Sequence, residues 1–429
     1  MASIRLVVPT WCYWVDPLKL QPLWELYYAT VLRDAFPGHD VALIDMREDG
    51  GQLPESDIYV YWINKAADAF EIYELVGKFK ALYPKSIHIA GGTHVDHMPE
   101  QCAEHLDVVL KGTAEDTMVR AVNDIIDGKT PEKYYRSDRR CHFSEYPVIS
   151  RDFIPAHRVV NEKHFQMYGG VPGTGAYFSR GCSFRCNFCV YNNPPKFEYR
   201  TGVQIRREIE YLKREYGVQG VNLRDEVCIP VNNKDAIEYL TAIGDSGIIW
   251  RGQSVPLGSE EMVRLAAESG LREVALGLES VDSDKVIEIA NKPSRSIDDN
   301  RRYIELLKKY GIKVKVCLIF GLPGESAKVV DRTITFLEDI EPDFVAVSGF
   351  DPVPGSPFYR DAARYGIKSI DDDLSKHAHL LFRFGDREDV GLPFEYEKNA
   401  PWGQALSRNQ IIDNIRAVQS YLRDRNMSY

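Results

Sequence analysis

Arg180-Gly181-Cys182-Ser183-Phe184-Arg185-Cys186-Asn187-Phe188-Cys189 carries three cysteines in the spacing C-x-x-x-C-x-x-C. Three thiolates on one short loop can hold three irons of a cubane cluster and leave the fourth iron open for chemistry. Soft thiolate ligands select iron–sulfur clusters or zinc, and a structural zinc site closes with a fourth ligand that this loop does not offer. A 4Fe-4S cluster lacking one protein ligand is therefore a better reading than a zinc knuckle or three unrelated buried thiols.

The triplet, with aromatic Phe188 just before its third cysteine, resembles the signature of the radical S-adenosylmethionine (SAM) enzymes. The resemblance implies that Cys182, Cys186 and Cys189 ligate the cluster and that the open iron chelates SAM. In that family an electron from the reduced cluster cleaves SAM to methionine and a 5′-deoxyadenosyl radical.

Downstream of residue 172 the sequence alternates strand-like runs (176–178, 220–223, 248–252, 273–278, 313–319, 344–349) with helix-like ones (203–216, 234–244, 259–269, 297–310, 327–340). Six such strands suit the partial (β/α)6 TIM-like barrel of the family, whose active sites gather at the carboxyl ends of the strands. Asp225 and Glu226 follow the second strand, where a carboxylate would meet the SAM amino group. Arg251 on the third strand could pair with the cofactor carboxylate. Gly277-Leu278-Glu279-Ser280 matches the family's Gly-x-Glu-Ser, which places Glu279 and Ser280 at the ribose or methionyl end, although Ser280 is also a good helix cap. Ile319-Phe320-Gly321-Leu322-Pro323-Gly324-Glu325 resembles the strand-to-loop motif beside adenine, with Ile319 and Gly321 against the base.

The first 130 residues alternate in the same way, with strand-like runs at 4–8, 41–44, 58–62, 87–90 and 108–110 and amphipathic stretches at 20–36, 67–82 and 115–127. This reads as a doubly wound, Rossmann-like α/β domain. Within it Gly91-Gly92-Thr93-His94, Pro99-Glu100 and the run from Asp107 to Glu115 resemble the N-terminal cobalamin-binding domain of a radical SAM subfamily. Gly91, Gly92 and Thr93 would then lie against the corrin. Many cobalamin proteins carry Asp-x-His-x-x-Gly after the first strand, but the loop at 10–17 contains no histidine. The resemblance thus implies cobalamin between sheet and barrel without a histidine from that loop below cobalt.

The domain reading is 1–130 cobalamin-binding, 131–171 an aromatic connector, 172–361 the radical SAM barrel and 362–429 a helical C-terminal extension, clearest at 407–425. The implied activity is C-methylation of an unactivated carbon in a small molecule or peptide, by deoxyadenosyl radical and methylcobalamin. Radical cyclisation, epimerisation or ring rearrangement without methyl transfer is the alternative, and a cobalamin or redox sensor a third. Methylthiolation fits less well, because only Cys12 and Cys102 lie in the first domain.

With 429 residues, 44% apolar and 27% charged, the composition is that of an ordinary globular protein. A net charge of −10 and no polybasic tract argue against a nucleic-acid partner. There is no signal-peptide pattern and no apolar run of membrane-spanning length, and eight cysteines without a disulfide framework fit the reducing cytoplasm. A flavodoxin- or ferredoxin-type electron donor is implied by the family chemistry.

Overall fold

Short runs such as Ile58–Trp62, four of whose five residues are buried, have apolar side chains on both faces and can only be satisfied inside a sheet covered on both sides. In a computed structural model of the protein they form parallel sheets within two units, Met1–Lys163 and His164–Tyr429. The structure describes all residues except 13, 15, 50–52, 138–140, 191–196, 232, 378–390 and 428–429.

The first unit contains β1 (Ser3–Val8), β2 (Asp40–Asp45), β3 (Ile58–Trp62), β4 (Ile87–Gly91), β5 (Val108–Lys111) and β6 (Tyr134–Arg136). All pairings are parallel, in the order β2-β1-β3-β4-β5-β6. The order reverses between β1 and β3, and a crevice at the carboxyl ends of such a pair is where doubly wound sheets bind ligands. β6 follows the expected strands as a sixth, recruited from the connector.

In the second unit β7 (Gly173–Ala176) is followed by a short antiparallel pair, β8 (Ser179–Arg180) with β9 (Glu198–Tyr199). Then come β10 (Gly220–Leu223), β11 (Ile249–Ser254), β12 (Leu271–Glu279), β13 (Lys313–Phe320) and β14 (Phe344–Gly349). β7 and β10 to β14 pair in parallel and in strict sequence, the arrangement of a partial barrel. The first barrel strand lies slightly upstream of the expected 176–178, because Gly173 to Ala176 pair with Gly220 to Leu223 and the chain then turns into the cysteine loop. The helix Gly202–Tyr216 starts at a Thr201–Gln204 capping box and ends at Gly217 in the left-handed region, φ 66°.

The amino end of this barrel is plugged from within its own unit. A Cβ on Gly220 would come within 2.8 Å of the Phe165 ring, so only glycine admits it, and Tyr168 donates to the Arg272 carbonyl at 3.2 Å. Among its described residues the tail differs from the helical expectation between 362 and 406, and positions 378–390 of that expectation lie outside the described residues. It forms two short antiparallel pairs, β15 (Ile367–Ile370) with β16 (Phe394–Tyr396) and β17 (Asn399–Ala400) with β18 (Gly403–Gln404), before the helix Arg408–Asp424. Among the described residues no helix is long and apolar enough to cross a membrane.

Candidate functional site

β12 shows why the inside of the barrel is the place for chemistry. Its residues Val274, Leu276 and Leu278 are fully buried against the outer layer, while the alternating Ala275, Gly277 and Glu279 are partly accessible. On β11, Trp250 is buried and donates to Ser269 at the end of an outer helix, whereas Arg251 and Gln253 take the other face. The inner wall is open and the outer one covered.

The cysteine loop leaves β7 at the carboxyl end of this wall and is clamped from several sides. Asn187 donates its backbone N–H to Ala290 (2.8 Å) and its amide to the Ile289 carbonyl (2.7 Å). Asn291, at φ 51°, returns a bond to the Arg185 carbonyl (2.6 Å), and the Phe358 N–H donates to Asn187 (2.9 Å). A buried Arg180–Glu198 pair at 2.9 Å closes the loop's base. Cys182 and Cys189 are half-buried, and burial pushes the Cys186 thiol up to about 11. Such a thiol ionises only when a metal takes the place of its proton.

Among the described residues no three His, Cys, Asp or Glu side chains converge on a single-ion site. Three thiols spread over one clamped loop instead suit a multi-iron cluster, with irons at separate corners.

The adjacent carboxylates Asp225 and Glu226 part company. Asp225 is wholly buried and accepts from the Phe178 N–H (2.9 Å), Ser179 Oγ (2.7 Å) and the Tyr239 hydroxyl (2.6 Å). It anchors the start of the cysteine loop and has no face left for a ligand. Glu226 accepts the Gly181 N–H, lies within the field of Cys182, and has a shielded Oε2 with no partner. Burial pushes its carboxyl up to about 8. A buried, unsatisfied acceptor beside the cysteine loop fits a cationic amine.

Glu279 ends β12 at φ 65°, uncommon for a residue with a side chain, and its Oε1 lies 2.9 Å from Lys292 Nζ. The Lys292 ammonium sits 5.5 Å from the Phe188 ring centroid. Burial disfavours its charge, but Glu279, Cys186 and Cys189 outweigh burial and hold it above the ordinary lysine range. Lys292 escaped the sequence reading, because a lysine in Asn291-Lys292-Pro293 after a helix looks like a solvated loop residue.

Ser280 donates to Glu325 Oε1 at 2.9 Å, and Gly321 N–H to Glu325 Oε2 at 2.7 Å. Burial pushes Glu325 up to about 8. This carboxyl ties the Gly-x-Glu-Ser turn to the loop after β13. Gly321 stands at φ 93° with Ile411 of the last helix 2.9 Å from its Cβ position, and its carbonyl accepts from the Tyr396 hydroxyl at 2.7 Å. Ile319, on the same stretch, is almost fully buried.

Arg251 lies on the third barrel strand, as expected, and already has a carboxylate beside it. Its guanidinium pairs with Glu273 at 2.6 Å, and Glu273 is the third residue of the nine-residue β12. At about 3.3 Å per residue Glu273 lies roughly 20 Å back from the carboxyl end of β12, and it holds the guanidinium toward the amino end of the wall.

In the first unit, the close approach that Gly92 allows at φ 122° is to its own chain, since a Cβ there would meet the Ile63 carbonyl oxygen at 2.4 Å. Gly91 pairs with Trp62 in register, Thr93 opens the short helix Thr93–His97, and His94 is bound locally to Gln101 at 3.0 Å. The crevice side is aromatic. Trp62 packs 4.3 Å from Tyr28 and 5.7 Å from Trp24, and its buried indole N–H has no partner. The histidine-free loop is braced by Arg47, which is buried beneath the Trp11 ring at 4.6 Å, holds Asp45, and donates to the Leu20 carbonyl at 2.6 Å.

Residues 176–337 match the model of the radical SAM superfamily. Among curated relatives, an uncharacterized methyltransferase of Pyrococcus horikoshii is 27% identical over 80% of this chain and 78% of its own length. Bacteriochlorophyllide d C-8(2)-methyltransferase of Chlorobaculum tepidum is 23% identical over 92% and 88%. A radical SAM methyltransferase from Kitasatospora setae, solved with tryptophan and a SAM analogue, superposes with a TM-score of 0.69 at 16% identity, over 94% of this chain and 86% of that one. At that identity the likeness is one of fold.

Proposed function

We propose that this chain, whose residues 176–337 are a radical SAM domain, is a cobalamin-dependent enzyme that methylates an unactivated carbon of a small molecule. The observation that carries the radical reading is Glu226, whose shielded Oε2 has no partner beside the cysteine loop. When bound, cluster, SAM and cobalamin supply a carbon-centred radical and a transferable methyl group.

The chain's own residues divide the remaining work. Cys182, Cys186 and Cys189 would hold three irons, and Phe188 and Lys292 flank them. Glu226 would accept the SAM amino group, while the Glu279–Lys292 pair offers both signs of charge to the methionyl end. Ile319 and Gly321 would shape the adenine wall, held by Glu325 from one side and Ile411 from the other. Asp225 and Ser280 position loops instead of touching the cofactor.

For cobalamin, support comes from the reversal of strand order at β1 and β3, the aromatic floor with an orphaned Trp62 N–H, and the curated relatives named as methyltransferases. Gly91 and Gly92 then act through the turn they permit, with Thr93 following it. A flavodoxin- or ferredoxin-type donor would meet the need for a low-potential electron, and a cytoplasmic setting suits a cysteine loop that must stay reduced to hold a cluster.

The test is anaerobic reconstitution with hydroxocobalamin, followed by gel filtration, absorption and electron paramagnetic resonance. A retained corrin with a base-off spectrum is expected. Failure to retain any corrin moves the reading to radical cyclisation or rearrangement without methyl transfer, and nitrogen superhyperfine coupling from an axial imidazole refutes the histidine-free lower face.

A further inference from the structure

Glu25 stands in the first turn of the helix Leu23–Ala35, which follows β1, and is only 5% exposed. The charged groups that act on it come from the neighbouring strands: Asp45 and Arg47 at the end of β2, and Asp68 in the helix Ala66–Leu82 after β3. Glu25 is thereby placed at the carboxyl ends of β2, β1 and β3, where the strand order reverses.

The cations of this neighbourhood are engaged with other groups. Arg47 holds Asp45 through two bonds of 2.7 and 2.5 Å and donates to the Pro17 and Leu20 carbonyls. Arg158 pairs with Glu48 and reaches Asp45 only at 4.0 Å, while Lys65 lies over the Trp14 ring. The other acids add to the crowding. Asp68 is itself buried, and Glu71 accepts the Thr10 and Trp11 N–H groups.

Among the described residues Glu25 accepts only its own backbone N–H, and burial pushes its carboxyl up to about 8. At neutral pH it therefore keeps its proton and is a donor. Trp62, which packs on Trp24 and Tyr28 of the same helical turn, adds a second donor, a shielded indole N–H without a partner. Asp45 and Asp68 repel an anion, so the acceptor that suits these donors is neutral.

We propose that Glu25 binds cobalamin by donating its carboxyl proton in a hydrogen bond to a neutral carbonyl oxygen, of the kind that the amide side chains of the corrin ring carry. The inference rests on the cobalamin reading and gives it a residue outside the Gly91-Gly92-Thr93 turn.

The test is the binding of methylcobalamin, in the dark, to the anaerobically cluster-loaded protein, since the methyl ligand on cobalt does not titrate between pH 7 and pH 9. Equilibrium dialysis should show the affinity falling about tenfold from pH 7 to pH 9, as a carboxyl that titrates near 8 loses its proton. Calorimetry at pH 8 in two buffers of different ionisation enthalpy should show uptake of about half a proton per corrin. Glu25→Gln keeps a neutral donor and should bind equally at pH 7 and pH 9. An affinity of the native protein that does not change with pH, binding without proton uptake, or a Glu25→Gln variant that still loses affinity at pH 9 would each overturn the proposal and leave the cobalamin reading in place. No binding at either pH would overturn both.

Discussion

Glu279 Oε1 and Lys292 Nζ stand 2.9 Å apart in a buried pair that joins the end of the fourth barrel strand to the cysteine loop. The lysine also lies over the Phe188 ring, and the glutamate holds a left-handed backbone conformation at φ 65°. Charge pairing and backbone strain thus meet at one point beside the three thiols. Strain of this kind persists where the surroundings over-determine it.

Removing one partner should cost much more than removing both. Lys292→Met leaves the Glu279 carboxylate unpaired in the interior, with an expected loss of about 3–5 kcal/mol. The double variant Lys292→Met/Glu279→Gln should regain a substantial part of it. Denaturant unfolding of the three proteins without cluster measures this, and additive losses would show that the pair is not coupled.

Asp225 and Glu226 should separate in their phenotypes. Asp225→Ala removes the acceptor for three donors at the root of the cysteine loop, so the iron content after reconstitution should fall. Glu226→Gln should load iron normally yet bind SAM more weakly by roughly 1.5–3 kcal/mol, the range for a hydrogen bond to a charged group. Iron assay and equilibrium dialysis with SAM distinguish the two, and identical behaviour would contradict the division of roles.

Much of this was legible in the sequence, and what was not had a local cause. The cysteine spacing, the alternation of β12 and the Gly-Leu-Pro-Gly-Glu loop place strands and turns through period and composition. The tail between 362 and 406 shows no such period, and its short pairs form against the barrel, where Tyr396 reaches Gly321. Asp225 and Glu226 are indistinguishable as neighbouring acids in a sequence, and only the fold shows that one faces three donors while the other is left with an open oxygen. The pairing of Arg251 with Glu273 was not legible because it depends on a strand register that the sequence does not carry. Lys292 was hidden because its burial comes from a tertiary contact with the cysteine loop.

Glu325 carries a pH dependence of definite sign. Burial pushes its carboxyl in the folded protein up to about 8, above the usual glutamate range. The folded state therefore binds this proton more tightly, and stability is fully present below the unfolded pKa near 4.5 and lost as the pH rises through about 8. Glu325→Gln should leave stability little changed at pH 5 and raise it at pH 9. Thermal unfolding at the two pH values decides, and a variant destabilised equally at both would contradict the assignment.

Gly321→Ala should destabilise by about 1–3 kcal/mol, since a methyl group there meets Ile411 at 2.9 Å in a left-handed conformation. Adding Ile411→Ala should relieve the crowding and leave only the backbone term. Equal stability of the single and double variants would show that the last helix does not press on the loop.

The account stands most directly on the reductive cleavage of SAM at the cysteine loop. The measurement is the yield of 5′-deoxyadenosine, by mass spectrometry, from anaerobically reconstituted protein with dithionite and SAM, compared with the variant in which Cys182, Cys186 and Cys189 are all alanine. The account predicts 5′-deoxyadenosine from the native chain and none above background from the variant. Equal yields from both, or none from a native chain that carries a full complement of iron and sulfide, would contradict it.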